Sequence, residues 1–385
     1  MRAARRLSVN YLVHDVWDAA VARRVSMLVD GGAKVTVAGF RRRDPATPEI
    51  CGAQVLDLGR TADAALSKRA GLVVWRALTA RFWSRRLPPG DVVIARSLEL
   101  LTLAWAMGVL TGAKRPLVYE CLDIHRLMLS DGLVGRVLRR WERFLLARCA
   151  LVITSSPAFI SAYFERMQAS TTPFRLVENK PILACGELEA ARRPSTSPPW
   201  RIGWFGMIRC AKSLDLLCAL AAALPGRVEV VIAGRVSENE FADFHGAVAS
   251  CPAVQFLGPY APDELAELYG RVHFTWAIDF FEEGLNSAWL LPNRLYEGGA
   301  FGAVPLALEG VETGRWLARQ GAGVLLPADP SAALAAFFSS LTPDAYKALA
   351  ATVALIPRKD FIANQSDCDA LVDALCNLKT PETVK

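Results

Sequence analysis

Leu291-Pro292-Asn293-Arg294-Leu295-Tyr296-Glu297-Gly298-Gly299-Ala300-Phe301-Gly302-Ala303-Val304-Pro305-Leu306-Ala307 reads as a helix followed at once by a strand. Pro292 opens the helix, where a missing N–H costs nothing. Gly302 can end it. Val304–Ala307 is a short apolar run of the kind buried on both faces of a parallel sheet. Arg294 and Glu297 leave the helix from one face, one turn apart. A cation beside a helix N-terminus suits a diphosphate. A carboxylate one turn deeper suits a ribose, because it can accept from two hydroxyls. The same spacing also fits a plain surface Arg–Glu pair, so the rest of the chain has to decide.

The rest of the chain repeats this helix–strand rhythm. Ser8–Val13, Lys34–Gly39, Asp91–Ala95, Pro116–Glu120 and Ala150–Thr154 read as buried strands. The segments 19–30, 64–86, 98–110, 133–148 and 157–167 between them read as helices. In the second half the strands are Arg201–Phe205, Val228–Ala233, Val254–Leu257, His273–Ala277, Val304–Ala307 and Gly323–Leu326. Strands alternating with helices predict an α/β fold of doubly wound parallel sheets. The run Arg192-Arg193-Pro194-Ser195-Thr196-Ser197-Pro198-Pro199 breaks the rhythm. The expected organisation is an N-terminal Rossmann-like domain over 1–185, a linker over 186–199 and a second Rossmann-like domain over 200–358. A C-terminal helix and tail over 359–385 is expected to pack back on the first domain. Two such domains are expected to face each other across a cleft, with ligands at the strand ends.

Bulk properties bound the function. The chain has 385 residues, 52% hydrophobic and 21% charged, enough for two cores and too apolar for a disordered chain. A net charge of +6 is too small to argue for nucleic acid. The nine cysteines are scattered and form no CxxC pair, which argues against a disulfide framework or a zinc site. No signal-peptide core and no span-length apolar run is present, so the expected location is cytoplasmic, with peripheral attachment to the inner face of the plasma membrane.

The Pro-x-Arg-x-x-Glu pattern, followed by Gly302-Ala303-Val304-Pro305, resembles the donor helix of family-four glycosyltransferases of the GT-B type, with two Rossmann-like domains. Other landmarks fall in order. Gly206-Met207-Ile208-Arg209-Cys210-Ala211-Lys212 resembles the loop after the first strand of the second domain, where an arginine and a lysine hold the donor diphosphate. Ala233-Gly234 resembles the glycine that ends the next strand. Phe256-Leu257-Gly258 and Glu264-Leu265, with Leu268-Tyr269, resemble the turn and helix that pack against the nucleotide base. Val177-Glu178-Asn179-Lys180-Pro181 matches the family's Asn before the linker. Tyr119-Glu120 with Asp123-Ile124-His125 is similar to bacterial exopolysaccharide enzymes of the succinoglycan type. The resemblance implies transfer of a sugar from a nucleoside-diphosphate sugar, a UDP-sugar first of all, to a glycan or a polyprenyl-diphosphate-linked acceptor. It implies no metal cofactor. Donor-binding residues carried over are Gly206, Arg209, Lys212, Gly234, Glu283, Asn286, Asn293, Arg294 and Glu297. The chain departs from the family at Trp289, eight residues before Glu297, where a second Glu is usual. Asp279, Glu282, Glu283 and Asn286 in the preceding loop are the candidates to take its place.

For the acceptor side, an inverting transfer needs a general base near the acceptor hydroxyl, and a retaining one needs mainly stabilisation of the leaving diphosphate. Asp15, Asp18, Asp123 and His125 follow predicted strands and are the candidate catalytic residues. His14, His245 and His273 read as structural. Asp367-Cys368-Asp369 has the spacing of a metal-binding acid pair, but it falls inside a helical pattern. Between 64 and 89, Lys68, Arg69, Arg76, Arg81, Arg85 and Arg86 alternate with Trp75, Phe82 and Trp83. Arg136, Arg139, Arg140, Arg143 and Arg148 form a second basic helix. Such helices suit an anionic membrane surface, and equally a solvated face. Two rival readings are a sugar-nucleotide epimerase on the same fold and a non-catalytic sugar-nucleotide-binding partner.

Overall fold

The computed structural model describes residues 6–42, 47, 49–60, 80–183 and 194–378. The chain divides into two compact units, Met1–Glu178 with Asn364–Lys385, and Asn179–Ala363. Residues 186–193 of the expected linker, and most of the first basic stretch, lie outside the described residues.

The first unit is built on an eight-stranded sheet. Its strands are β1 (Ser8–Val13), β2 (Lys34–Arg41), β3 (Glu49–Ile50), β4 (Ala53–Arg60), β5 (Val92–Arg96), β6 (Leu117–Cys121), β7 (Leu151–Thr154) and β8 (Phe174–Leu176). The order is β3-β4-β2-β1-β5-β6-β7-β8. Every pair is parallel except β3 with β4. The central strands are apolar on both faces, so they read clearly in sequence. Strand β4 was not expected. Gln54 and Asp57 interrupt it, and half of its residues are only partly buried. Near an edge such interruptions cost little.

The second unit holds β9 (Trp200–Ile208), β10 (Val228–Val236), β11 (Val254–Phe256), β12 (Phe274–Trp276), β13 (Val304–Leu308) and β14 (Val324–Leu326). They form a parallel sheet in the order β11-β10-β9-β12-β13-β14. In each unit the connections leave the first strand in both directions. The switch points are therefore β1/β5 and β9/β12, the places where open α/β sheets leave a crevice beyond the strand ends.

Two expectations need correction. Gly206 and Gly234 do not end their strands: β9 and β10 run on in register to Ile208 and Val236. Both glycines have positive φ, 115° and 136°, and they lie opposite each other. A Cβ on Gly234 would stand 1.7 Å from the Gly206 carbonyl oxygen. Two bare backbones can bend past each other here without breaking the ladder, so the loop after β9 shrinks to Arg209 and Cys210. Within the C-terminal segment, residues 361–378 read in sequence as one helix, but the structure breaks it after Phe361. Asn364 caps a new helix, Gln365–Cys376, by accepting from the Asp367 N–H. That helix belongs to the first unit. Cys368, Leu371, Val372 and Leu375 join the core beside Val21 and Val25 of the helix Ala19–Asp30. The Gln365 amide donates to the Asp30 carbonyl at 2.8 Å.

A buried carboxylate organises the far side of the first sheet. Glu142, on the helix Leu133–Leu146, accepts from Tyr119 at 2.9 Å and also from Tyr163 and Gln168. Burial pushes its pKa up, and the three donors only partly oppose this. The folded state then holds the proton more tightly than the unfolded chain does. Glu142 therefore stabilises the fold most when protonated. Its contribution falls as pH rises above the ordinary carboxyl value near 4.5 and through the raised one. Glu142→Gln should flatten this part of the profile. Urea midpoints followed from pH 4.5 to pH 8 test this, with the limits set by the ordinary glutamate value. Parallel profiles for wild type and variant would show that Glu142 takes up no proton on folding.

Candidate functional site

The second unit's switch point gathers most of the expected donor residues. Strand β9 delivers Arg209, and Lys212 follows at the start of the helix Ala211–Ala223. Strand β12 leads to Asp279 and the segment up to Trp289. The helix Asn293–Ala300, with Pro292 at its N-cap, brings Arg294 and Glu297. Their one-turn spacing places Glu297 deeper. It is 7% exposed, whereas Asn293 at the helix start is partly open.

Asp279 sits at the centre. One carboxylate oxygen lies 3.7 Å from Arg294 and 3.9 Å from Arg209. The other accepts from the Ser287 hydroxyl at 2.8 Å and the Phe281 N–H at 2.9 Å. Arg294 also donates to the Ile278 carbonyl at 2.6 Å. Burial lowers the Arg294 pKa and the nearby Arg209 charge adds to this, while Asp279 opposes it. The Arg209 guanidinium lies over the Phe281 ring at 4.4 Å. Lys212 meets both Glu283 oxygens at 2.7 Å and lies 4.3 Å from the centre of the Phe280 ring. Asn286 is buried and donates to Glu282 at 3.0 Å. Three cations thus face acids drawn from one loop, and two guanidinium groups share one carboxylate.

Glu297 accepts from the Tyr269 hydroxyl at 3.5 Å. Burial and the Glu297 charge raise the Tyr269 pKa well above the usual phenol range, so the hydroxyl stays a donor. Tyr269 is fixed in turn by Phe301, stacked at 5.8 Å, and by the edge of Phe205 at 4.9 Å. Thr275 packs where a Cβ on Gly298 would stand, at 2.4 Å, which brings the Glu297 helix close against β12. A cavity of about 160 Å³ lies beyond β10 and β11, lined by Gly258, Pro259, Tyr260, Glu264, Leu268 and Arg271 among others.

Sequence reasoning named Asp279 only as one of several stand-ins and missed Ser287. Neither matches a motif. Both follow from topology, because the residues just past β12 must lie beside those just past β9.

In the first unit Asp15 and Asp18 come together at the end of β1. Asp15 accepts from the Trp17 N–H at 3.1 Å and lies 3.6 Å from Arg42. Asp18 caps the helix Ala19–Asp30 through the Ala20 N–H at 2.9 Å and pairs with Arg96 of β5 at 3.2 Å. Burial alone would raise the Asp18 pKa, but Arg96, His14 and the Ala20 amide outweigh it and hold it low. A carboxylate held ionised in this way is a weak proton acceptor, so its position gives Asp18 a capping and pairing role. Asp123 and His125 follow β6, beyond β5, and both are exposed. His125 caps the short helix Arg126–Leu129, its Nδ1 accepting from the Leu127 N–H at 3.2 Å. That bond uses the lone pair a base would need. His273 joins two segments, Nδ1 accepting from the Arg201 N–H at 2.9 Å and Nε2 meeting the Ser195 carbonyl at 2.6 Å. Asp367 is spent on its helix cap. Among the described residues no group of three His, Cys, Asp or Glu could hold a metal ion.

No protein-family model matches the chain. The succinoglycan biosynthesis protein ExoL of Rhizobium meliloti (strain 1021) is 44% identical over 386 residues, spanning 98% of this chain and 96% of that protein. The chain belongs to the ExoL family. Solved structures agree on the fold of this ExoL-family chain. Sucrose-phosphate synthase from Thermosynechococcus elongatus superposes with a TM-score of 0.73 over 96% of this chain and 98% of that one, at 12% identity. HepE from Anabaena, in complex with UDP, gives 0.68 over 97% and 100% at 16% identity. WaaG, a glycosyltransferase involved in lipopolysaccharide biosynthesis, gives 0.63 over 96% and 100% at 12% identity. The fold is that of the two-Rossmann-domain, GT-B, glycosyltransferases.

Asp279 and Arg294 are each only 11% exposed, so loss of Asp279 strands one guanidinium group in a poorly solvated place, with the more open Arg209, 33% exposed, beside it. Breaking a buried pair by removing one partner costs about 3–5 kcal/mol. Asp279→Ala should approach the lower end of that range in urea unfolding. Asp279→Asn, which keeps an acceptor for Ser287 and Phe281, should lose less. Equal stability of Asp279→Ala and wild type would remove Asp279 from the centre of the site.

Proposed function

We propose that this ExoL-family chain is a glycosyltransferase of exopolysaccharide synthesis, using a nucleoside-diphosphate sugar bound at the β9/β12 switch point. The observation that carries the proposal is the convergence of Arg209, Lys212 and Arg294 on one edge, with Glu297 one turn further in. A diphosphate leaving group gains negative charge as the sugar departs. Cations already fixed in place stabilise that charge with no reorganisation. Glu297, positioned by Tyr269, accepts from the ribose hydroxyls. The cavity beside Gly258 and Tyr260 takes the base. UDP is the preferred nucleotide, because HepE, of the same fold, is solved with UDP and with UDP-glucose. In this reading the three cations do the work for which other transferases use a metal ion. Gly206, Gly234, Asn286 and Asn293 shape the approach to the diphosphate and sugar. Glu283 and Asn286 take the place of the usual Glu at Trp289.

The acceptor is a glycan or a polyprenyl-diphosphate-linked sugar, met by the first unit, with Asp15 and Asp123 as the carboxylates available for its hydroxyl. No helix among the described residues is long and apolar enough to cross a membrane. The helix Leu133–Leu146 instead leaves Leu133, Val134 and Val137 exposed at 70%, 60% and 58%. Arg136 and Arg140 stand among them, also exposed. Phe82, 52% exposed, lies under Arg86 at 4.5 Å. Exposed apolar residues with interspersed cations suit an anionic membrane surface, which would put the enzyme and a lipid-linked acceptor on one plane at the cytoplasmic face.

Thermal shifts with UDP-, GDP- and dTDP-sugars test the donor, since specific binding stabilises the folded state by mass action. Arg209→Ala and Lys212→Ala should each lose about 2–4 kcal/mol of transition-state stabilisation in transfer assays. Near-normal turnover in both would sink the donor site.

Vesicles test the membrane reading. Replacing Arg136 and Arg140 with Ser should weaken binding to anionic liposomes by about 1 kcal/mol per cation, with hydrolysis of a soluble donor preserved. Unchanged sedimentation with the vesicles would leave these helices as solvated faces.

A further inference from the structure

We propose that Glu283 occupies the place on Lys212 that a donor phosphate takes, so that donor binding is an exchange of one anion for another. This rests on the donor-site reading above and adds a competing ligand carried by the protein itself. Lys212 is the second residue of its helix, at the end where free N–H groups favour negative charge. The ammonium is held by both Glu283 oxygens at 2.7 Å and backed by the Phe280 ring. It therefore presents one polar side, and Glu283 covers that side.

The two acids that face the cations differ in how firmly they are held. Asp279 is 11% exposed and receives two hydrogen bonds from its own loop. Glu283 is 52% exposed and its partner Lys212 is 47% exposed. Water solvates a released carboxylate well at such exposure, and ion pairs of this kind hold weakly. The next residue, Gly284, has φ 78°, a region glycine enters without steric cost and leaves as easily. One loop thus carries a fixed anion, which offsets the repulsion between the two arginines, and a releasable one, which balances the charge of the lysine until a phosphate arrives. A nucleoside diphosphate must displace Glu283 but leaves Asp279 in place. The affinity of the empty enzyme for nucleotide is then set partly by how well Glu283 competes. Once free, Glu283 is also the carboxylate nearest to hand for the sugar.

Isothermal titration with UDP, which carries no sugar, isolates the exchange from any contact between Glu283 and the sugar. Four proteins are compared: wild type, Glu283→Gln, Lys212→Ala and the double variant, each checked for folding by circular dichroism. Glu283→Gln should bind UDP about two- to five-fold more tightly, the range of an exposed ion pair converted to affinity. Lys212→Ala should bind more weakly, and the double variant should match Lys212→Ala, because no pair remains to be released. Unchanged or weaker binding by Glu283→Gln overturns the exchange. So does a gain of the same size in the Lys212→Ala background, which would reflect loss of a nearby charge alone. If none of the four proteins binds UDP, the donor-site reading itself fails.

Discussion

Two guanidinium groups share one carboxylate at the end of β12, and the second unit's site is arranged around that shortage. Arg209 and Arg294 arrive on different elements, one after a strand and one on a helix. Without Asp279 between them they would repel each other, and Arg294, 11% exposed, would do so with little water to help. Burial above all, and then the nearby Arg209 charge, lowers the Arg294 pKa against the pull of Asp279. The two arginines carry one more charge than Asp279 offsets, while Glu282 and Glu283 of the same loop turn to Asn286 and Lys212. On the proposed reading a nucleoside diphosphate meets that local excess, so the same few groups bear on the stability of the protein and on its affinity for the donor.

How much of this the sequence discloses depends on the kind of signal. Buried parallel strands are continuous apolar runs, so β1, β5, β6, β7, β12 and β13 could be read within a residue or two. Strand β4 could not, because polar residues at a sheet margin look like a loop. The ends of β9 and β10 were placed too early because glycine usually stops a strand. Here two glycines face each other and let both strands continue. Local chemistry could be read at Arg294 and Glu297, whose spacing is a property of one helix. Asp279 and Ser287 could not be singled out, since their importance comes from the neighbour that topology gives them. His125 and Asp18 illustrate the converse limit. Their position after a strand suggested chemistry, yet the hydrogen bonds each makes to a helix N-terminus cannot be read without coordinates.

The two switch points are built on one plan with different contents. In each, a basic residue closing one strand meets an acid from beyond the neighbouring strand: Arg96 with Asp18, and Arg209 with Asp279. In the first unit the acid is held ionised by its partners and by the helix it caps. In the second the acid is outnumbered by arginines. The first unit's switch point thus pairs its charges one to one, while the second gathers Arg209, Lys212 and Arg294 among several acids.

The return of residues 364–376 to the first unit also bears on how the protein is made. A ribosome releases the chain from its N-terminus, so the whole of the second unit emerges before the helix that completes the first core. Cys368, Leu371, Val372 and Leu375 are synthesised after the whole second unit, yet they cover Val21 and Val25, which are synthesised before it. The early sheet must wait, with one apolar flank uncovered, while a complete α/β unit forms downstream. A nascent chain halted short of the last helix would therefore carry every residue of the second unit while the first still lacked part of its core.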